Sequence, residues 1–227
     1  RPPSMQALPT VQGFLSPVAN ASGTALPNRI YEDILSVSTP FIIKRVLIEL
    51  ALFTALRRGE LVGLKWSDID FEKQQLTVKR SIYKPKGENA IEKEPKTLSS
   101  IRTISIPNCL CETLQYYKKK QAENSLSLGE RWKNLDYLFT DEFGNVMNPQ
   151  TPTKQFSKFL ERHNIRHLKF HCLRHTSATL LLSGGCDIKT VSARLGHSSI
   201  ETTNIYVHAI ESIDRKAAIM FDFFVKE

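Results

Sequence analysis

From Arg29 to Trp66 the apolar positions recur at helical spacing. The run "IYEDILSVSTPFIIKRVLIELALFTALRRGELVGLKW" is rich in Leu, Ile, Ala and Phe. Pro40 marks a helix start, and Gly59 and Gly63 punctuate the far end. The period then changes to two. Leu76, Val78, Arg80 and Ile82 alternate with Thr77, Lys79, Ser81 and Tyr83, and Ile104 and Ile106 alternate with Thr103 and Ser105. "KPKGEN" and "KTLSS" read as the hairpin turns between these strands. From Cys109 onward the pattern is helical again, interrupted by the loop-like "DEFGNVMNPQTP". There is no internal repeat. The order predicts an α+β, mostly α domain, with a small three-stranded antiparallel sheet inserted after the first helices.

Residues 1–28 differ from the rest. Pro2, Pro3, Pro9, Pro17 and Pro27 stand among Gly, Ser, Ala and Asn, as in a linker or N-terminal extension. Residues 29–215 form the expected main domain. Residues 216–227 are a tail that carries Ile219, Met220, Phe221, Phe223, Phe224 and Val225, apolar surface that has to be covered somewhere.

Composition narrows the function classes. The chain has 227 residues, 41% hydrophobic and 24% charged, as in a soluble globular protein. No apolar run reaches a membrane span, and no signal-peptide core opens the chain. Cys109, Cys111, Cys172 and Cys186 are scattered with no CxxC pair, which fits reduced thiols in the cytoplasm. The formal net charge of +8 favours a polyanionic partner, most often nucleic acid.

Three stretches hold candidate chemistry. In "HCLRH", His171 and Arg174 share a helix face and His175 nearly shares it. Zinc binding in the HExxH manner needs Glu where Cys172 stands, so no metal and no cofactor are expected. Gly184 and Gly185 end that helix, Asp187 caps the next and Gly196 ends it, which puts His197 on a tight turn. Ser198 or Ser199 caps a further helix, and Tyr206 lies about two turns in. In "TALRRGE", Arg57 and Arg58 end an apolar helix. Adjacent helical residues diverge by about 100°, so only one of them can face a given site. Lys96 stands where a strand enters a hairpin.

Together, "TALRRGE", "PKTLSS", "HCLRH", "LGHSS" and "NIYVH" resemble the ordered boxes of the tyrosine recombinases, the phage and transposon integrases. The "LKWSDID" run looks like the segment that follows the first arginine in that family. The resemblance covers roughly residues 29–215. It implies Tyr206 as a nucleophile that attacks a DNA phosphate, leaving a 3′-phosphotyrosine and a free 5′-hydroxyl. The attack is in its own active site or a partner's, and the short linker from His197 to Tyr206 favours its own. It implies Arg57 and Arg174 as clamps on the phosphate oxygens, Lys96 as the general acid, and His171 and His197 as phosphate hydrogen bonders or proton shuttles, with Glu60 orienting an arginine. The partner would be double-stranded DNA, bound by a homo-oligomer, dimer or tetramer, with no membrane involved. The C-terminal tail would pack on its own domain or dock on a neighbouring protomer.

Two departures stand out. Ala55 occupies a position where the family has Gly; alanine suits a helix better, so no effect on the chemistry is expected. The chain does not open on Met, and residues 1–28 are too short for the DNA-binding domains that precede the catalytic domain in the family, so a longer natural protein is expected. For grip on DNA, Lys79, Arg80, Lys84, Lys86, Arg102 and the Lys118–Lys120 run are the candidate phosphate contacts. The competing readings are a type IB topoisomerase, a non-catalytic DNA-binding module, and a zinc hydrolase built on the histidines.

Overall fold

The computed structural model describes residues 42–85, 87–93, 101–197 and 199–207. Pro40, Lys86, Lys96 with the rest of "KTLSS", Ser198, the linker and the tail lie outside them. Helix α1 (Ile42–Thr54) is apolar on most of its circumference and runs through the centre of the domain. It packs against α3 (Asn108–Leu128), α4 (Thr151–Arg162) and α5 (Cys172–Ser183), and its end meets the short α2 (Arg58–Val62). Helix α6 (Ile188–Leu195) and a last helical stretch α7 (201–207) close the fold beside α5. The core joins Leu47 and Leu50 of α1 with Leu61, Leu76, Leu110, Leu114, Phe139 and Phe156, all fully buried.

The three-stranded sheet is present, in the order β1 (Ile69–Asp70), β2 (Gln75–Val78), β5 (Arg102–Ser105), antiparallel throughout. Its register sets Leu76 opposite Ile104 and Val78 opposite Arg102. The alternation at 76–83 reads as one strand, but the chain leaves the sheet after Val78. Ser81–Tyr83 (β3) instead pairs with Ile91–Lys93 (β4) in a separate two-stranded ribbon, with "KPKGEN" as its turn. The inward parity still holds: Leu76, Val78 and Ile82 are buried. Arg80 shares that parity, and a guanidinium facing inward has to be paired. It donates to Asp68 and to the Gly63 carbonyl (3.2 Å) and sits 3.2 Å from a Glu92 oxygen.

Two local expectations are corrected. Ala55 is not helical: α1 ends at Thr54, and Ala55 takes the left-handed conformation with φ 54°. Glycine occupies such a position without a Cβ penalty, so this site demands backbone freedom rather than helix propensity. Arg57 is also not on a helix. It is extended (φ −65°, ψ 148°) and caps α2, while Arg58 is the first residue of α2. The divergence of the two side chains comes from this break in the chain.

Candidate active site

Five of the predicted side chains lie in described residues, and they converge where the ends of α1, α5, α6 and α7 meet. The turn after α6 organises them. Gly196 adopts the left-handed cap (φ 66°, ψ 47°), and the His197 amide donates to the Ser192 carbonyl at 3.1 Å. The last carbonyls of a helix have no partners within it and carry the negative end of its dipole, so they attract cations. Here three consecutive carbonyls each accept from a different arginine. Arg102 Nε donates to Arg194 O (2.9 Å), Arg174 Nη2 to Leu195 O (2.8 Å) and Arg57 Nη2 to Gly196 O (2.9 Å).

Arg174 is 3% exposed, and its Nη1 donates to the Ala55 carbonyl at 2.5 Å. Two nitrogens are therefore anchored on backbone, which fixes the plane of the fork. Burial, then the nearby Arg57 charge, lowers its pKa to about 10, so it stays charged at neutral pH. Arg57 is more open, with 45% of its side chain exposed. Glu60 holds it: Arg57 Nη1 lies 3.0 Å from Glu60 Oε1, and the Arg57 amide donates to Glu60 Oε2 at 2.9 Å. A guanidinium has five N–H groups. With two nitrogens engaged on each arginine among the described residues, both keep donors for an oxyanion.

The histidines are neutral. Burial first, then the charges of Arg174, Arg57 and Arg102, pushes His197 down to about 4. Its Nδ1 shares a hydrogen bond with Thr203 Oγ1 at 2.9 Å, which sets the ring from α7. His171, exposed at the start of α5, is also lowered, by burial and then by His175, Arg174 and Arg57. Its ring meets His175 edge-on, with centroids 4.8 Å apart. His175 in turn packs on Tyr206, with centroids 5.3 Å apart.

Tyr206 is 5% exposed and lies in a small apolar cluster with Ala55, Ala178, Val191 and Leu195 of its own chain. Burial raises its phenol above the usual 10, by more than Arg174 and Arg57 pull it down. Without substrate the hydroxyl is therefore protonated and covered. Arg58, Thr153, Lys169, His171 and Arg174 line a cavity of about 390 Å³. Arg58 Nη1 donates to Thr153 Oγ1 at 3.1 Å.

The DNA-contact candidates separate. Lys84 is exposed. Lys79 is half-exposed and 3.2 Å from Asp68. Arg80 and Arg102 do not stand free on the surface: Arg80 is held by Asp68 and Glu92, and Arg102 by Glu60 and the α6 terminus. Lys118 lies over the Trp66 and Phe71 rings, and Lys120 is 2.8 Å from Glu123. Sequence reasoning named Arg58 and His175, the latter by its spacing from His171, without giving either a role. It passed over Lys169 and Thr203, for which the linear sequence offers no signal.

A helical domain thus brings two arginine forks close to a buried tyrosine, with neutral histidines nearby, and the forks keep donors for an anion. Residues 27–212 match the Phage integrase family, and the chain belongs to it. It is 44% identical to a tyrosine recombinase XerC-like protein of Caldanaerobacter subterraneus subsp. tengcongensis over 178 residues, 73% of this chain and 46% of that one. It is 31% identical to the ICEBs1 integrase of Bacillus subtilis, over 76% of this chain and 46% of the relative. The chain thus spans about half the length of these curated relatives. Among solved structures, the Tn1549 transposon integrase in complex with circular intermediate DNA superposes with a TM-score of 0.69 at 25% identity, covering 80% of this chain and 61% of that one. The XerA recombinase shares the fold, with a TM-score of 0.63 at 23% identity, over 88% of this chain and 65% of that one. No helix among the described residues is long and apolar enough to cross a membrane.

Proposed function

We propose that residues 29–215 are the catalytic domain of a site-specific DNA recombinase that cuts and rejoins the DNA of a mobile element in the cytoplasm. The observation that carries this reading is the shared anchorage of Arg57 and Arg174. Both guanidiniums hang from consecutive carbonyls of the turn that bears His197, and Tyr206 clusters with Ala55 and Leu195, whose carbonyls hold Arg174. A scissile phosphate seated between the forks would meet N–H donors from both arginines. Those donors would stabilise the charge that builds on the non-bridging oxygens as Tyr206 attacks, each worth about 2–4 kcal/mol.

The Tyr206 oxygen forms the new P–O bond, the 5′-oxygen leaves, and a 3′-phosphotyrosine keeps the bond energy for religation. Lys96 protonates the leaving oxygen. Neutral His197 and His171 can accept hydrogen bonds or the phenol proton. The attack is in cis, because Tyr206 is packed into its own domain. Lys86, exposed Lys84 and half-exposed Lys79 contribute to phosphate contact, and the working assembly is a dimer or tetramer on double-stranded DNA.

Covalent trapping tests this. The full-length protein is mixed with a nicked suicide duplex carrying the end of the encoding element, and products are run on a denaturing gel. A slow protein–DNA band, absent in Tyr206→Phe and insensitive to EDTA, is the expected result. Tight binding of that duplex without any band would leave a DNA-binding module instead.

A further inference from the structure

Arg102 is not among the proposed catalytic side chains, yet its contacts run to the groups that hold Arg57. Its side chain is 9% exposed. Nη2 lies 2.7 Å from Glu60 Oε2 and Nη1 3.2 Å from Glu60 Oε1, a bidentate grip on the carboxylate that also holds Arg57. Nε donates to the Arg194 carbonyl, next but one to the carbonyl that holds Arg57. The guanidinium also lies flat against Gly196: a Cβ built there would come within 2.8 Å of Arg102 Nη1 and 2.9 Å of its Cζ. Gly196 therefore meets two demands, a left-handed φ and room for this guanidinium.

We propose that Arg102 is a positioning residue that locks Glu60 and the α6 turn together, and so fixes the fork of Arg57 on the scissile phosphate. This rests on the recombinase reading of the same site. Arg102 sits on β5, which is paired along its length with β2, whereas Arg57 belongs to an extended break between two helices. The bidentate pair ties the fork at that break to the sheet. It also limits what Glu60 does. A carboxylate facing Arg57 alone would withdraw charge from the phosphate clamp; shared with Arg102, Glu60 orients Arg57 while the cluster of Arg57, Arg102, Arg174 and Glu60 stays net positive. A phosphate contact by Arg102 is the competing role, and its nitrogens are already committed to Glu60 and Arg194.

The test uses full-length protein with Arg102→Gln, Arg102→Lys, Arg57→Ala and the Arg57→Ala/Arg102→Gln double variant. Three quantities are read: noncovalent binding of the nicked duplex with its salt slope, the rate of covalent adduct formation, and the guanidinium N–H signals of Arg57 by ¹⁵N NMR without DNA. With positioning, Arg102→Gln lowers the adduct rate by about 10–100-fold, leaves affinity within about twofold and leaves the salt slope intact. Arg102→Lys recovers part of the rate. In the Arg57→Ala background the same change costs little more, because both act through one fork. The Arg57 N–H signals broaden or shift in Arg102→Gln.

Several results overturn the proposal. A salt slope reduced by about one with uniformly weaker binding makes Arg102 a phosphate contact. Additive losses in the double variant make it independent of Arg57. Unchanged Arg57 signals overturn it even if the wild-type protein forms no adduct, and that last outcome would count against the recombinase reading alone.

Discussion

Two arginine–carboxylate clusters in the domain use their charges differently. In one, Asp68 is shared by Lys79 and Arg80, and Glu92 by Arg80 and Lys65, with the Tyr137 hydroxyl donating to Glu92. Each guanidinium nitrogen of Arg80 faces an acceptor, and Asp68 is 4% exposed. In the other, Arg57 and Arg102 share one carboxylate, Glu60, and both of them and Arg174 rest on backbone carbonyls. Carbonyls orient a guanidinium without cancelling its charge. The first cluster is saturated and holds the ribbon to the domain; the second is underneutralised and keeps donors for an anion. A count of basic residues cannot tell these apart, because the difference lies in what each fork already touches.

Substitution should separate the two clusters. The largest effect is expected at Arg174. Arg174→Ala should lower covalent adduct formation by about 10²–10³ and also reduce stability, because the Leu195 and Ala55 carbonyls lose a buried donor, each worth about 1–3 kcal/mol. Suicide-duplex kinetics and a urea titration of the same preparation read both. A large loss of stability with near-normal cleavage would make Arg174 a stitch like Arg80 and erase the distinction.

The converse variant is Arg80→Ala. Asp68 is left buried with Lys79 at 3.2 Å and the Lys65 amide at 2.9 Å, so stability should fall by about 3 kcal/mol, near the low end for breaking a buried pair. Adduct formation per folded molecule should not change. If cleavage falls while the urea midpoint holds, Arg80 serves the DNA directly, as its basic character first suggests.

Much of this was legible in the chain, for reasons that differ by region. The caps of α5, α6 and α7 announce themselves through Gly184, Asp187, Gly196 and Ser199, because cap chemistry is local. His171, Arg174, His197 and Tyr206 follow from those caps. The ribbon was hidden because an alternating run does not reveal where a chain changes sheets; the misfit of Arg80 on the inward parity was the one clue. The inward commitment of Arg102 was not legible, since its partners lie 42 and 92 positions away in sequence. Ala55 misled because neighbouring helix signals are strong, whereas a single left-handed residue leaves only the family's preference for Gly as a trace.

Acidity should act on the second cluster by a smaller amount. The His197 pKa falls from 6.5 in the unfolded chain to about 4 in the fold. Between these values the unfolded chain binds more protons, so the contribution of His197 to stability is complete above about 6.5 and is lost as pH falls toward 4. Urea midpoints at pH 7, 5.5 and 4.5 should decline, and His197→Gln should flatten part of that decline. An equal slope in the variant would assign the acid sensitivity elsewhere, with lowered His171 and His175 the next groups to replace.

The smallest effect is expected at Ala55, whose carbonyl anchors Arg174 and whose Cβ lies in the Tyr206 cluster. Ala55→Gly relieves left-handed strain of about 1–2 kcal/mol. It also removes a fully buried methyl group, worth about 0.8 kcal/mol. The net expectation is a gain of about 0.5 kcal/mol, or about 1–2 °C in Tm for a domain of this size. Adduct formation should stay within about threefold, because the carbonyl that holds Arg174 belongs to the backbone and survives the change. A loss above about 1 kcal/mol would show that packing against Tyr206 outweighs the strain. Alanine at this position would then help to seat the nucleophile, and the underneutralised cluster would depend on apolar contacts as much as on its carbonyls.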